Sequence, residues 1–186
     1  MNKKTIKKLQ AIVGEKYLTT AREDLMCYSY DGTGMEYMPS AVAFPGSAAE
    51  ICSIMEIADH ELFPVIPRGA GTGMTGGSLP VEGGLVLAMN RLNKILEIDT
   101  ENQVAVVEPG VITGQFQAAV RKEGLFYSTY PAFLRFFFDE LEYSRPPGLA
   151  ATSLGRRVCR CPHPPTATTR VLRRSPISVV RPSSKE

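Results

Sequence analysis

The stretch Pro67-Arg68-Gly69-Ala70-Gly71-Thr72-Gly73-Met74-Thr75-Gly76-Gly77-Ser78 places five glycines in twelve residues. It lies between two apolar segments, Phe63-Pro64-Val65-Ile66 and Gly84-Leu85-Val86-Leu87-Ala88-Met89. Glycine accepts φ > 0 and close backbone approach, so such a loop can turn several N–H groups toward one point. A concavity of backbone N–H groups binds phosphate oxygens. Thr72, Thr75 and Ser78 can add hydroxyl donors, and Arg68 offers a cation. The competing reading is a tight surface connection with Arg68 as a surface arginine. Ordinary connections are shorter and need only one or two glycines, which favours the binding loop.

The glycines match two nucleotide fingerprints only in part. Gly71-x-Gly73-x-x-Gly76 satisfies the letter of the dinucleotide pattern. That pattern needs a helix directly after the glycines, with its N-terminus on the pyrophosphate. Here Leu79-Pro80 and Gly83-Gly84 follow and oppose a helix, so an NAD-binding Rossmann site is disfavoured. A Walker A loop fails as well, because no Lys-Ser/Thr pair follows. The loop must hold its phosphate without a helix behind it.

Around the loop the chain has α/β grammar. Residues 4–13 predict an amphipathic helix with Ile6, Leu9, Ile12 and Val13 on one face. Asp31-Gly32-Thr33-Gly34 reads as a turn. Ala41-Val42-Ala43-Phe44 reads as a strand ended by Pro45. Ser47-Ala48-Ala49-Glu50 is a capping box: serine accepts from the Glu50 N–H while the carboxylate reaches back. The helix it opens runs to about Glu61, with Ile51, Ile54, Met55, Ala58 and Leu62 at helical spacing. Gly84–Met89, apolar on both faces, suits a buried parallel strand. Leu96-Glu97-Ile98 and Val104–Val107 flank a polar turn as a hairpin. Thr113 can cap a last helix through Glu123, with Phe116, Ala119 and Val120 inward and Gly124 past its end.

Charge and composition divide the chain near residue 128. Residues 1–127 carry 11 Lys+Arg against 15 Asp+Glu, whereas residues 128–186 carry 10 against 4. Nine of the ten cations in the tail are Arg, and it holds 8 of the 14 Pro. No sustained helix or strand period follows about Leu141, and frequent proline opposes both. Three readings compete: a basic arm for nucleic acid or an acidic membrane, a disordered linker, or a segment read in a shifted frame. The abrupt change in the middle of a patterned domain favours the third. The organisation expected is a helical lead-in over 1–40, a binding domain over 41–127 and an aberrant tail over 128–186.

No run of about 18 apolar residues exists, and the basic start Met1–Lys8 lacks a signal-peptide core. Four cysteines without framework spacing suggest a reducing cytoplasm. Cys27 and Cys52 read as small buried apolar residues. Cys159-x-Cys161-x-His163 offers three zinc-ligand types but lacks a completing pair, so no metal is expected. His60 suits a helix C-terminus. Asp31 and Glu36 read as solvated or capping acids rather than a general base. Tyr28, Tyr30 and Tyr37 read either as cleft lining or as core and surface cover.

Ala43-Phe44-Pro45-Gly46-Ser47-Ala48-Ala49-Glu50-Ile51, the Pro67–Ser78 loop and Val107-Glu108-Pro109-Gly110-Val111 together resemble the FAD-binding domain of the vanillyl-alcohol-oxidase (PCMH-type) flavoproteins. Within that family the likeness is to glycolate oxidase catalytic subunits and D-lactate dehydrogenases, over about residues 20–127. The resemblance implies an α/β (α+β) fold, with a parallel βαβ subdomain followed by antiparallel strands. It implies FAD, with the loop corresponding to Arg68–Gly77 around the flavin pyrophosphate and Pro109-Gly110 beside the same cofactor. The cofactor-binding set is thus Pro67, Arg68, Gly69, Ala70, Gly71, Thr72, Gly73, Thr75, Gly76, Gly77, Ser78, Pro109 and Gly110. It implies oxidation of a small 2-hydroxy acid, glycolate or D-lactate, with hydride passing to the flavin.

The family also implies partner subunits of an oxidase complex, peripheral to the membrane, and assigns no nucleic acid. The family's second flavin-holding stretch is reduced here to Pro131-Ala132, and its substrate domain is expected to be missing. No catalytic residue is therefore named, and a truncated fragment binding nucleotide weakly or not at all is the alternative. An apolar patch including Phe133 and Phe136-Phe137-Phe138 is expected where that domain would pack. Resequencing the coding region tests the frame reading: an insertion or deletion near codon 128 is expected, and an intact frame overturns it.

Overall fold

The computed structural model describes residues 1–80 and 83–127, together with the backbone of 176–178. The expectations for Pro131-Ala132, the phenylalanine patch and the Cys159–His163 cluster lie outside those residues. Helix α1 (Lys3–Val13) is N-capped by Asn2, whose side chain accepts from Thr5 N–H. Strand β1 (Leu18–Thr19) and the short helix α2 (Arg22–Met26) follow. Then come β2 (Ala41–Ala43), α3 (Ala48–Glu61), β3 (Val65–Arg68) and β4 (Leu85–Ala88). Strands β5 (Ile95–Asp99) and β6 (Val104–Val107) precede α4 (Thr113–Lys122).

The first sheet has the order β1-β2-β4-β3. Strands β2, β4 and β3 are parallel, and β1 is antiparallel to β2 with Leu18 opposite Ala43. The lead-in therefore supplies the sheet's edge as well as a covering helix. The two faces of the sheet are sorted by strand alternation. Ala41, Ala43, Leu85 and Leu87 pack with Leu9, Val13 and Ile54 of α1 and α3. Val42, Val86 and Ala88 face the other way, toward Leu25, Tyr28 and Phe44. Strand β4, in the middle, is buried throughout.

Strands β5 and β6 form the expected antiparallel hairpin. Their own core joins Ala105, Val111, Phe116, Val120 and Leu125. Strand β7 (Pro176–Ser178) pairs antiparallel with β6. A proline at the first residue of an edge strand costs the ladder little.

Several local expectations need correction. Ser47 caps α3 as expected, but the Glu50 carboxylate accepts from Gly46 N–H at 2.7 Å, one residue before the box. Leu62 is no part of the buried stripe: it leaves the helix in the left-handed region (φ 55°) and is 87% exposed. Thr113 does not cap α4; Ile112 is the N-cap and Thr113 is buried inside the first turn. Ala119 is only half-buried, leaving Phe116 and Val120 inward. Cys27 is exposed, because Leu25 takes the one buried position of the short helix α2, and Cys52 in α3 is half-buried. Among the described residues no helix is long and apolar enough to cross a membrane.

Two measurements check these contacts. Phe116 is fully buried, so Phe116→Ala lowers the unfolding free energy by about 3–5 kcal/mol in urea denaturation. Glu61 ties α3 to α1, accepting from Lys8 Nζ and Thr5 Oγ1, and these bonds hold its carboxyl below the usual range. A depressed folded pKa contributes stability above the unfolded value and loses it as pH falls through the folded one. Melting curves of the wild type and Glu61→Gln are expected to differ at neutral pH and to converge on acidification below the ordinary carboxylate range.

Candidate functional site

Parallel β3 and β4 are adjacent, so the chain between them must run back along the sheet. Residues 69–84 make that crossover with no helix among the described residues 69–80 and 83–84. This rules out the dinucleotide fingerprint's strand–glycine–helix geometry at Gly71–Gly76. The loop starts at the carboxyl ends of the parallel strands, where open α/β sheets bind ligands. The segments following β2 (Phe44–Ser47) and β4 (Met89–Arg91) leave the sheet at the same edge.

Arg68 is the last residue of β3 and pairs with Ala88, so it shares the face of Val86 and Ala88. It is only 4% exposed, which excludes the surface-arginine reading. Its guanidinium lies 5.7 Å from the Tyr28 ring centroid, and Nη1 is 3.4 Å from the Ser78 carbonyl oxygen. Among the described residues it forms no ion pair. A guanidinium stays charged, and burying a charge is costly without an opposite one. Burial raises the Tyr28 phenol above its usual range, and the neighbouring Arg68 cation partly offsets this. Tyr28 also meets Phe44 edge to face at 5.8 Å. Tyr30 and Tyr37 are exposed.

The guanidinium sits directly beneath Gly71. A Cβ at Gly71 would overlap Arg68, and its φ of +76° independently demands glycine. Gly69 is buried; Ala70, Thr72, Gly73, Gly76 and Ser78 are half-buried; Thr75 and Gly77 are exposed. Ser78 Oγ is buried and lacks a hydrogen-bond partner, the state expected of a donor waiting for an acceptor. Pro67 is exposed and, by alternation along β3, lies on the face opposite Arg68. It therefore stands apart from the cradle.

Pro109-Gly110 is brought to the turn after β4 rather than to the glycine loop. Gly110 N–H donates to the Leu92 carbonyl at 2.7 Å, and a Cβ there would run into the Met89 and Leu92 carbonyl oxygens. The N-terminus of α3 points to the same edge, but Ser47 Oγ already accepts from the Glu50 N–H, and the Glu50 carboxylate, accepting from Gly46 N–H, puts a negative charge there. It adds little to anion binding.

Two groups at this edge escape the sequence reading. Arg91 Nη1 donates to the Phe44 carbonyl at 2.7 Å, lies 3.7 Å from Glu50 Oε2 and stacks 3.5 Å over the Tyr17 ring. Gly46 leaves the space that this guanidinium fills. The second is the Asp31–Gly34 turn, read only as a turn, which touches the glycine loop: Gly32 N–H donates to the Gly73 carbonyl at 3.0 Å. Asp31 is buried rather than solvated, and it caps the turn as the other reading had it, accepting from Thr33 N–H. In both cases the only signal is a glycine whose necessity comes from a distant neighbour.

The comparisons with known proteins agree with this geometry. The chain is 46% identical over 111 residues to glycolate oxidase subunit GlcD of Bacillus subtilis, covering 59% of this chain and 24% of that protein. It is 34% identical over 109 residues to the D-lactate dehydrogenase of Archaeoglobus fulgidus, covering 56% and 24%. The chain thus spans about a quarter of the length of these relatives. The crystal structure of p-cresol methylhydroxylase with substrate bound shares the fold, with a TM-score of 0.63 at 24% identity over 70% of this chain and 27% of that one. The family described as FAD binding domain matches residues 39–136, which takes in the glycine loop, Arg68 and the Pro109-Gly110 turn. Arg68 is buried beneath the glycine crossover without an ion pair among the described residues, and the chain belongs to this FAD binding domain family.

Proposed function

We propose that this chain is the FAD-binding portion of an oxidoreductase that oxidises a 2-hydroxy acid of the glycolate or D-lactate type. The observation that carries the reading is Arg68, a buried cation whose described partners are a ring face and a carbonyl oxygen. A diphosphate over Gly69–Gly77 would set negative charge beside it. The loop's backbone N–H groups would surround that diphosphate. Ser78 Oγ, buried and unpartnered, would donate to it, and Thr72 lies beside the same stretch. When bound, the flavin supplies the hydride acceptor. This chain's residues bind and orient it; Tyr28 and Phe44 keep water from the underside of Arg68.

The substrate class rests on the names of the relatives, glycolate oxidase subunit and D-lactate dehydrogenase. The word subunit also supports partner chains in an oxidase complex; a cytoplasmic location, peripheral to the membrane through those partners, is part of the same proposal. The groups that bind the substrate carboxylate and take the hydroxyl proton belong to the remaining three quarters of such a protein.

The full chain should be mixed with FAD, freed of excess by gel filtration and scanned in the visible. Retained flavin absorbance is expected, and a folded chain without flavin sinks the reading. Arg68→Gln should weaken FAD binding by about 10- to 100-fold, the loss of about 1.5–3 kcal/mol expected for a charge-assisted contact. Gly71→Ala should abolish retention by displacing the guanidinium. Equal affinity in Arg68→Gln and the wild type would mean that Arg68 only packs.

A further inference from the structure

The Asp31–Gly34 turn lies N-terminal to residues 39–136, the region that matches the FAD binding domain family. Asp31 Oδ1 accepts from Thr33 N–H at 2.9 Å and from Thr33 Oγ1 at 2.6 Å. Gly34 N–H donates to the Asp31 carbonyl at 3.3 Å. The flanks are joined by Tyr37 N–H to the Ser29 carbonyl at 2.8 Å and by a bridge between Tyr30 and Glu36. Asp31 is 5% exposed, and its Oδ2 is buried without a partner. A buried acid kept in a surface-connected turn needs a reason, because leaving an acceptor unmade is unfavourable.

The reason lies in what the turn touches. Gly32 donates to the Gly73 carbonyl, and a Cβ on Gly32 would come within 2.7 Å of Thr72 O, 2.9 Å of Gly73 O and 3.2 Å of Met74 Cγ. Two consecutive loop carbonyls therefore face this turn. A trans peptide points its N–H opposite to its C=O. The N–H groups of Gly73 and Met74 are thereby turned together, away from the Asp31–Gly34 turn. Adjacent N–H groups aimed the same way form an anion-binding nest. The crossover has no helical ladder to set their direction, so the setting must come from outside.

We infer that the Asp31–Gly34 turn is a positioning element for the phosphate loop: Gly32 holds the Thr72 and Gly73 carbonyls on one side, so that the following N–H groups face the diphosphate. This rests on the reading that the loop binds FAD. Asp31 acts through the turn, and Gly32 acts through Gly73. A residue here with any side chain would push the loop out of register.

The test compares Gly32→Ala with Gly34→Ala in the full chain. Gly34 has φ +77° but nothing within 4 Å of a Cβ, so its substitution strains the same turn without touching the loop. In ligand-free protein, amide exchange of a peptide covering 69–78 is expected to quicken in Gly32→Ala and to stay unchanged in Gly34→Ala, with β4 as the internal reference. FAD titration is expected to show at least about a ten-fold weaker Kd for Gly32→Ala and little change for Gly34→Ala, since preorganised geometry carries affinity. Unaltered exchange and affinity in Gly32→Ala overturn the inference, as do losses in both variants that follow their melting temperatures. If Gly32→Ala does not fold, Asp31→Ala loosens the turn without a clash. It should quicken exchange in 69–78, Asp31→Asn should restore it, and no change in Asp31→Ala is the overturning result. If the wild type itself retains no FAD, the cofactor reading fails while the exchange comparison still decides the turn's role.

Discussion

The parallel pairing of β3 with β4 is the constraint on which the site depends. Arg68 lies opposite Ala88 and Val65 opposite Leu85, so the chain must leave one end of the sheet and re-enter at the other. A helix usually makes that return and satisfies its own backbone groups on the way. Residues 69–84 make it with glycine instead. Ordering glycine is entropically costly, so external contacts must fix the path. Arg68 lies beneath Gly71, Gly32 grips Gly73 from the side, and Leu79 and Pro80 are buried at the far end. A backbone ordered in this way has no helical ladder over the described residues 69–80.

Charge follows from the same placement. Strand alternation sends Ile66 and Arg68 to one face, where Tyr28 and Phe44 exclude water. A cation in that setting interacts far more strongly with a nearby anion than one in solvent. The α3 N-terminus, which faces the same edge, is neutralised by Ser47 and Glu50. The electrostatic centre of the edge is therefore a side chain and a loop, rather than the helix dipole on which dinucleotide-binding folds rely.

How much of this could be read from the chain depends on the range of the interaction. The strands Ala41–Ala43 and Leu85–Ala88, the Ser47 cap and the β5–β6 hairpin are local patterns of alternation, capping and turn chemistry, and they were legible. The glycine loop was legible from composition as a crossover without a helix, which the described residues 69–80 and 83–84 show. Arg68 was ambiguous because its burial depends on Tyr28, forty residues earlier in the chain. Cys27 was misread because a helix as short as Arg22–Met26 offers few inward positions, and Leu25 takes one. Leu62 keeps helical spacing, yet the helix ends in a left-handed residue there and the side chain swings out. Thr113 has capping chemistry, but the chain enters α4 one residue earlier, at Ile112.

The glycines at this edge separate into two kinds that look identical in a sequence. Gly71 answers a backbone demand, a positive φ, besides clearing the Arg68 guanidinium of its own crossover. Gly32, Gly46 and Gly110 answer a neighbour's demand: each leaves room for a group from a remote segment, namely the Thr72–Gly73 carbonyls, the Arg91 guanidinium and the Met89 and Leu92 carbonyls. The second kind sets the architecture. Gly46 lets Arg91 clasp the end of β2 to the turn after β4, through the Phe44 carbonyl and Glu50. Gly110 seats the segment entering α4, and with it the Phe116 core, on that same turn. Three otherwise separate stretches thus meet at one end of a small parallel sheet. The glycine loop is held in place by contacts that its own sequence does not contain, so substitutions well outside the loop can alter it through geometry alone.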